Sequence, residues 1–257
     1  MIDTHCHLDD DKLYPNHEQI IQEFDKYNIE KVIDSGSSYE SSKRAVEIAS
    51  KYDKVFATVG VHPEEVACYN NEVEDFIIKS ASNQKVVAIG EIGLDYYYED
   101  ENSPRDKQKG IFCTQIELAN YLKLPMVIHL REAYEDMYNI LKENKSKLGY
   151  GLVLHCYSGS REMLREYNKF DAFYSFGGAI TFKNYTKYDM LRAVPIDRIM
   201  LETDSPYLTP VPFRGKINTP LNVGFVAKKL AEVREKTEEE IISITTNNAK
   251  TIYGRLK

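Results

Sequence analysis

The strongest constraint on the fold is a regular alternation of short β-branched segments with longer segments of helical periodicity along the 257 residues. This alternation is typical of repeated βα units around a parallel sheet. No linker, repeat or low-complexity tract interrupts it. We therefore predict an α/β fold, a TIM-type (β/α)8 barrel in which residues 1–257 form a single domain. The eight predicted strands are Ile2 to His5, Lys31 to Ser35, Val55 to Gly60, Val86 to Gly90, Met126 to His129, Leu152 to His155, Ala172 to Phe176 and Ile199 to Glu202.

The segments between the strands carry helix signals. Apolar residues recur at helical spacing from Ile111 to Leu122, and Pro104 stands just ahead of that pattern. Thr237 to Glu240 resembles a capping box that opens the last helix. The proline-rich segment from Ser205 to Pro220 follows the eighth strand directly, and we predict that it is a long functional loop.

Composition narrows the class of protein. The formal net charge is −7, from 33 Lys and Arg against 40 Asp and Glu, which excludes a broad cationic surface for gripping long duplexes but leaves a local basic patch open. The four cysteines are scattered without CxxC spacing, which indicates reduced thiols. Neither a signal peptide nor a long apolar run is present, so we expect a cytoplasmic protein with no membrane partner.

Five of the six histidines lie at or within two residues of the carboxyl end of a predicted strand, and only His17 does not. All strand carboxyl ends of a barrel open onto one face, so residues far apart in sequence meet there. We therefore expect these five side chains to converge at one rim. They are His5, His7, His62, His129 and His155.

Several of these polar residues suit a metal site. His5 and His7 are two apart on an extended segment and so share one side of it. Glu91 directly follows a nearly continuous apolar strand, where a charge needs a partner. Either Glu202 or Asp204 could add a carboxylate after the eighth strand, and we favour Asp204 because it lies nearer the rim.

Each residue also has an ordinary structural interpretation: a surface or hydrogen-bonded core histidine, a salt-bridged glutamate, or an aspartate that caps a turn. Taken together they are four imidazoles and two carboxylates without a thiolate, which favours a catalytic site with open positions over a closed structural zinc site. The set is large enough for two divalent metal ions. It comprises His5, His7, Glu91, His129, His155 and Asp204.

The chain resembles the TatD-like metal-dependent deoxyribonucleases of the amidohydrolase-type barrel superfamily, through motifs that span almost its whole length. They are IDTHCH (2–7), GVHPE (60–64), GEIGLDYY (90–97), VIHLRE (127–132), LHCYSGS (154–160), LETDSPYLTP (201–210) and RGKINTP (214–220). Two positions depart from the family pattern: Glu64 stands where a second histidine is common, and Ile217 where a basic residue is common. These departures concern substrate contacts rather than the metal set.

The resemblance implies a TIM-like barrel that acts as an exonuclease on DNA, and in some members RNA, with divalent ions. It implies that Glu91 bridges two ions. His5, His7 and Asp204 would complete the first ion's ligands, and His129 and His155 the second's.

The expected chemistry is phosphodiester hydrolysis by a water that two ions activate, with Asp204 as ligand and proton acceptor and Glu91 as bridge. Substrate contacts are expected from His62, Arg131, Arg161, Tyr207 and Arg214, with Lys216, Tyr157 and Phe176 also near the rim. Stacking at an unpaired end suits single-stranded DNA or DNA ends better than sequence reading in a duplex groove.

Two other functions stay open at the level of sequence. One is a metal-dependent hydrolase of a small amide, ester or lactone, since the same water can attack a carbonyl carbon. The other is a metal-containing interaction protein without activity. The identity of the ions also stays open, because histidines favour zinc or manganese while phosphodiesterases often use magnesium.

Overall fold

Eight parallel strands, each followed along the chain by at least one helix, form the frame of the molecule. The structure is a computed structural model that describes residues 1–257. The strands are β1 Ile2–Cys6, β2 Lys31–Ser35, β3 Val55–Val59, β4 Val86–Asp95, β5 Met126–Arg131, β6 Leu152–Leu154, β7 Phe173–Phe176 and β8 Ile199–Leu201. The helices are α1 His17–Gln22, α2 Tyr39–Lys51, α3 Asn71–Ser80, α4 Arg105–Leu122, α5 Tyr134–Glu143, α6 Arg161–Tyr167, α7 Tyr188–Ala193, α8 Val223–Arg234 and α9 Glu238–Ile252.

The strands pair in chain order from β1 to β8, and every pair is parallel. The last strand returns to the first through individual hydrogen bonds. The Thr4 hydroxyl donates to the Leu201 carbonyl at 2.9 Å, and the Asp204 N–H donates to the His5 carbonyl at 2.9 Å. The predicted TIM-type barrel of a single domain is confirmed.

The helix and loop signals have the expected structures. Pro104 is the N-cap of α4, and Thr237 and Glu240 form the predicted capping box at the start of α9. The predicted loop from Ser205 to Pro220 contains no helix or strand before residue 220. None of the four cysteines is in a disulfide. No helix combines the length and the apolar character that a membrane crossing requires.

Strand β4 is longer than predicted. It continues past Gly90 to Asp95 because its second half pairs with β5, where Leu94 lies opposite Leu130 and Asp95 opposite Arg131. Glycine usually marks a strand end or a bend, which is why the sequence pattern stops at residue 90. The extension carries Asp95 to the rim of the barrel.

The side chains on the two faces of the strands pack into two separate hydrophobic cores. Val127 and Val153 belong to a small core of buried residues inside the barrel, while their strand neighbours pack outward against the helices. Tyr253 and Leu256 join the inner core and close the amino-terminal end of the barrel. Polar residues of the same strand face are therefore confined to the open carboxyl end.

His5 and Glu91 each lie at an irregularity in the pairing of their strand. On β4, the paired positions Ile89 and Ile92 are three residues apart, while their partners on β5 are two apart. The pairing of β1 with β2 shifts in the same way around His5. One extra residue bends a strand and re-aims its side chains. The two bulges thus help to turn His5 and Glu91 toward the barrel axis.

Candidate metal centre

Six side chains meet at the carboxyl end of the barrel, and all six lie on a strand or shortly after one. Side chains two residues apart on a strand point the same way. His129 therefore points into the barrel like Val127, and His155 like Val153. The other four lie on β1 and β4 or shortly after β1 and β8. They are His5, His7, Glu91 and Asp204.

One oxygen of Glu91 faces the first set of nitrogens. Glu91 Oε2 lies 3.2 Å from His5 Nε2 and 3.7 Å from His7 Nε2. These two nitrogens are 3.2 Å apart. Asp204 Oδ1 lies 3.5 Å from His7 Nε2 and 3.9 Å from His5 Nε2. We call these four residues the His5 group.

The other oxygen of Glu91 faces a second set. Glu91 Oε1 lies 2.8 Å from His129 Nδ1 and 2.8 Å from His155 Nε2. These two nitrogens are 3.2 Å apart. We call Glu91, His129 and His155 the His129 group. A single carboxylate therefore stands between two groups of nitrogen donors.

The hydrogen bonds on the far side of two rings show which nitrogens carry lone pairs. His7 Nδ1 donates to the Ser35 carbonyl at 2.8 Å, so in the neutral ring Nε2 holds the lone pair. His129 Nε2 donates to Asp95 Oδ2 at 2.8 Å, so His129 Nδ1 turns its lone pair toward Glu91. Electron-rich atoms this close need a proton or a cation between them.

Divalent metal ions fit these groups. Nitrogen donors about 2.1 Å from a tetrahedral ion stand about 3.4 Å from one another. The separations within the His5 group run from 3.2 Å to 3.9 Å. Imidazole and carboxylate donors suit zinc, manganese and related ions. The His5 group thus has the chemistry and the spacing of a metal site, and the His129 group offers the same kinds of donor at shorter separations of 2.8 to 3.2 Å.

The geometry favours Asp204 over Glu202 as the carboxylate from β8. Glu202 is fully buried, and its two oxygens accept hydrogen bonds from the Cys156 N–H at 2.8 Å and the Ser175 hydroxyl at 2.5 Å. Burial raises the pKa of Glu202 to about 7. Glu202 Oε1 is also 3.9 Å from His155 Nδ1, which has no hydrogen-bond partner. Glu202 is thus near His5 and His155, but both of its oxygens are already hydrogen-bonded within the protein.

The charges at the centre depend strongly on one another. Burial would raise the pKa of Glu91, but His155, His5 and His62 outweigh it and hold that pKa well below its ordinary value. Burial would lower the pKa of His7, but the hydrogen bond with Asp204 and the charge of Glu91 raise it to about 10. The carboxylates are thus ionised at neutral pH, and in the absence of metal a proton takes the place of the cation.

The centre lies in a cavity of about 1010 Å³ formed by the loops at the carboxyl ends of the strands. Its lining includes eight carboxylic acids but only two basic side chains other than histidines, Arg44 and Arg131. Without metal ions, such a lining would repel a polyanion. The acids are Asp9, Asp10, Asp11, Glu40, Glu64, Glu65, Glu91 and Asp204.

His62 stands beside the His129 group but differs from its histidines. His62 Nε2 is 3.4 Å from Glu91 Oε1, and its ring centroid is 4.3 Å from that of His129. Because the Glu64 N–H donates to His62 Nδ1 at 3.2 Å, the hydrogen of the neutral ring sits on Nε2. This tautomer suits a hydrogen-bond donor to substrate better than a metal ligand.

The structure brings only some of the expected substrate contacts to the cavity. Arg131 and the half-exposed Tyr207 line it, and the Tyr207 hydroxyl donates to Asp10 at 2.9 Å. Tyr157 and Phe176 also border the cavity, but both are buried and offer no open ring face.

Three expected basic contacts and one departure from the family pattern lie outside the cavity lining. Arg161 is exposed at the start of α6. Arg214 stacks on Phe182 beside a separate hollow, with its guanidinium 3.8 Å from the ring centroid. Lys216 and Ile217 are exposed in the same loop, whereas Glu64 lines the cavity.

Sequence reasoning missed the residues that hold the histidines from behind. Asp95 contacts His129, the Ser35 carbonyl accepts from His7, and the Ser35 hydroxyl lies 3.2 Å from His5 Nδ1. Both residues end a strand, so the convergence argument used for the histidines could have found them.

Comparison with known proteins gives consistent matches over the full chain. A family model described as TatD related DNase matches residues 2–254. The uncharacterized metal-dependent hydrolase YabD of Bacillus subtilis (strain 168) is 41% identical over 254 residues, which cover 98% of each chain. The uncharacterized metal-dependent hydrolase YcfH of Escherichia coli (strain K12) is 33% identical over 258 residues, covering 98% of this chain and 95% of YcfH.

A solved structure agrees with the fold. The crystal structure of YjjV, a TatD homolog from Escherichia coli K12, superposes with a TM-score of 0.91 at 28% identity. The match covers 99% of this chain and 98% of that one. The barrel and its strand order are therefore shared along the whole length.

Proposed function

Since this chain belongs to the TatD-related DNase family and is a metal-dependent hydrolase, we propose that it hydrolyses phosphodiester bonds of DNA with two divalent ions. In this proposal the enzyme is an exonuclease that acts on single strands or on DNA ends. The observation that carries it is the position of Glu91, whose two oxygens face two different sets of nitrogen donors.

The two ions would share Glu91. His5, His7 and Asp204 would complete the first site, and His129 and His155 the second. When bound, such a pair of ions lowers the pKa of a water and neutralises charge on a phosphodiester. The ion pair would also offset the acidic lining of the cavity, which otherwise opposes a nucleic acid.

The chain's own residues supply the proton transfers and the positioning. Asp204 is the proton acceptor, because its pKa is lowered by the hydrogen bond with His7 and by the other histidines despite its burial. It is therefore ionised at neutral pH and able to take a proton. His62 Nε2–H donates to a substrate oxygen, and Arg131 supplies positive charge at the cavity edge.

Three features support action at single strands or ends. The inner core of the barrel closes the bottom of the cavity. The phosphodiester bond to be cleaved must therefore enter the cavity to reach the donor groups. The acidic lining on the side of Asp9, Asp10 and Asp11 opposes passage of a continuing strand. No basic helix or ribbon projects from this end to enter a duplex groove.

Digestion of end-labelled oligonucleotides tests the proposal. Protein stripped of metal is reloaded with Mg²⁺, Mn²⁺ or Zn²⁺ in turn and given single-stranded DNA, duplex DNA and RNA. We expect metal-dependent shortening from one end, fastest on a single-stranded substrate. The double variant His129→Ala, His155→Ala should lose this activity while it keeps the circular dichroism spectrum and the cooperative melting of the parent.

A panel of small esters, amides and lactones under the same metal conditions tests the second candidate function, because the donor groups alone do not select phosphorus over carbon. DNA that stays intact with every metal, while a panel member is hydrolysed, would overturn the nuclease proposal in favour of small-molecule hydrolysis.

A further inference from the structure

Two exposed tyrosines and an arginine form a surface at the cavity edge that the metal centre does not use. Tyr97 and Tyr98 follow β4, and their rings meet edge to face with centroids 4.7 Å apart. They are 54% and 51% exposed, whereas Tyr157 and Phe176 near the rim are buried. We call Tyr97, Tyr98 and Arg131 the tyrosine platform.

The guanidinium of Arg131 contacts both tyrosine rings, and its N–H groups remain free to bind a ligand. Its guanidinium carbon lies 3.9 Å from the ring centroid of Tyr97 and 4.6 Å from that of Tyr98. None of its side-chain N–H groups makes a hydrogen bond or an ion pair within the protein, although it lines a cavity rich in carboxylates. The platform thus combines aromatic surface with an uncommitted cation that can bind a phosphate.

The platform is attached to the metal centre through one carboxylate. Asp95 Oδ1 accepts the N–H groups of Tyr97 at 2.8 Å and of Tyr98 at 3.0 Å. Asp95 Oδ2 accepts from His129 at 2.8 Å. Asp95 is buried and held in turn by Gln108, which bonds to both its backbone N–H and its carbonyl. The same residue therefore sets the position of a metal-donor histidine and of both tyrosines.

Strand geometry places Arg131 on the side of the donor groups. It is two residues beyond His129 on β5 and lies opposite Asp95 in the pairing with β4. Since side chains two apart on a strand point the same way, Arg131 extends from the His129 group toward the rim. A phosphate next to the one being cleaved would come within its reach.

We infer that the tyrosine platform binds an unpaired nucleobase, with Arg131 on the adjoining phosphate, and that it makes the enzyme selective for single-stranded nucleic acid. The inference rests on the proposed function. Aromatic rings stack on a base of any sequence, but in a duplex both faces of an internal base are already covered by its neighbours. The tyrosine platform therefore binds a strand with unpaired terminal bases more tightly than a duplex.

The alternative role is structural, with Arg131 fastening the two tyrosines to the rim. In that case, loss of the rings lowers the thermal stability of the protein and changes the cleavage rates of all substrates by the same factor. A stacking role instead makes the effect depend on the base in the substrate. The experiment must therefore compare substrates that differ only in that base.

The test uses the metal-loaded enzyme and a single-stranded oligonucleotide, either complete or with a tetrahydrofuran abasic residue at one of its terminal positions. For wild type we expect kcat/KM to fall roughly 5- to 160-fold at one abasic position, the range of stacking contributions per base. The variant Tyr97→Ala, Tyr98→Ala should lose a similar factor on the complete oligonucleotide and nothing further on that abasic one.

Two variants control for folding and for the hydroxyl groups. Tyr97→Phe, Tyr98→Phe keeps the rings and should retain wild-type rates. Tyr121→Ala removes a 73% exposed tyrosine from α4, outside the cavity, and should change nothing. Melting temperature and bound Mn²⁺ are measured on each variant.

The outcomes separate the two proposals. If wild type cleaves the oligonucleotide and the alanine variant matches it on every substrate, the platform inference is overturned and the nuclease function stands. The same holds if the variant loses equal activity on complete and abasic substrates, because the loss is then structural. If wild type cleaves no nucleic acid, both are overturned.

Discussion

At the level of single residues, hydrogen bonds on the far side of the histidine rings determine which ring nitrogen of each donor carries the hydrogen. The Ser35 carbonyl and Asp95 direct the lone pairs of His7 and His129 toward Glu91. Glu64 leaves His62 with its hydrogen on the nitrogen that faces the centre. Histidines that look equivalent in sequence thereby become different chemical groups.

The first prediction concerns Asp204. Asp204→Asn keeps one oxygen for a metal ion but removes the group that accepts the proton. We expect turnover to fall about 100- to 10,000-fold, the usual contribution of a general base, while both ions are retained. Turnover and metal content are measured on the same preparation. Near-normal turnover with full metal content would contradict the assigned role.

The second prediction concerns pH. Burial opposes protonation of His7 and His129, but nearby carboxylates prevail and raise the pKa of His7 to about 10 and of His129 to about 9. At neutral pH both rings of the metal-free protein are protonated, and metal must displace those protons. Apparent metal affinity should therefore rise with pH, by up to about tenfold per unit for each proton displaced. Competition titrations with Mn²⁺ between about pH 6 and about pH 8 measure this, and an affinity independent of pH would refute it.

At the level of secondary-structure elements, the sequence predicted each strand and the order of the strands. The alternation of short β-branched segments with longer helical segments shows where the strands lie. It did not predict the end of β4, since pairing with β5 sustains that strand beyond Gly90. The bulges at His5 and Glu91 were also missed, because an extra residue becomes visible only against its partner strand.

The site was predicted to a similar extent and for similar reasons. The six donors follow from their predicted positions near strand ends, where a barrel brings residues together. A position near the rim does not determine whether an aromatic ring face is exposed to solvent. Packing buries the rings of both Tyr157 and Phe176. Arg161 begins α6 and Arg214 lies in a loop, and neither position belongs to a strand pattern that would fix its distance from the cavity, so that distance could not be predicted.

The third prediction concerns the junction of β8 with β1, which positions Asp204. Asp3 accepts both the N–H of Thr203 at 2.9 Å and its hydroxyl at 2.6 Å. Thr203→Val removes the hydroxyl and leaves a buried carboxylate oxygen without that bond, which should cost about 1 to 3 kcal/mol of unfolding free energy. Urea denaturation measures it. The matched change Thr251→Val on the exposed side of α9 should cost far less, and equal costs would argue against this junction.

At the scale of the whole molecule, an acidic protein with an acidic cavity is proposed to bind a polyanion. The net charge is −7, and only two arginines line a cavity with eight carboxyl groups. In the proposed mechanism, bound divalent ions would make this surface attractive to phosphate. Metal binding and substrate binding should therefore be coupled.

The fourth prediction follows from this coupling. Metal-free protein should bind a fluorescent single-stranded oligonucleotide at least about tenfold more weakly than Mn²⁺-loaded protein, because the cations reverse the potential at the cavity. Asp204→Asn protein allows the measurement by anisotropy without cleavage. Equal affinity with and without Mn²⁺ would show that the strand binds elsewhere on the molecule.

The most direct measurement is anomalous diffraction from crystals of the protein grown with Mn²⁺. The account predicts two peaks at the carboxyl end of the barrel, with one Glu91 oxygen on each ion. His5, His7 and Asp204 should surround the first peak, and His129 and His155 the second. A single peak, or ions that do not contact Glu91, would contradict the two-ion centre on which the proposed chemistry rests.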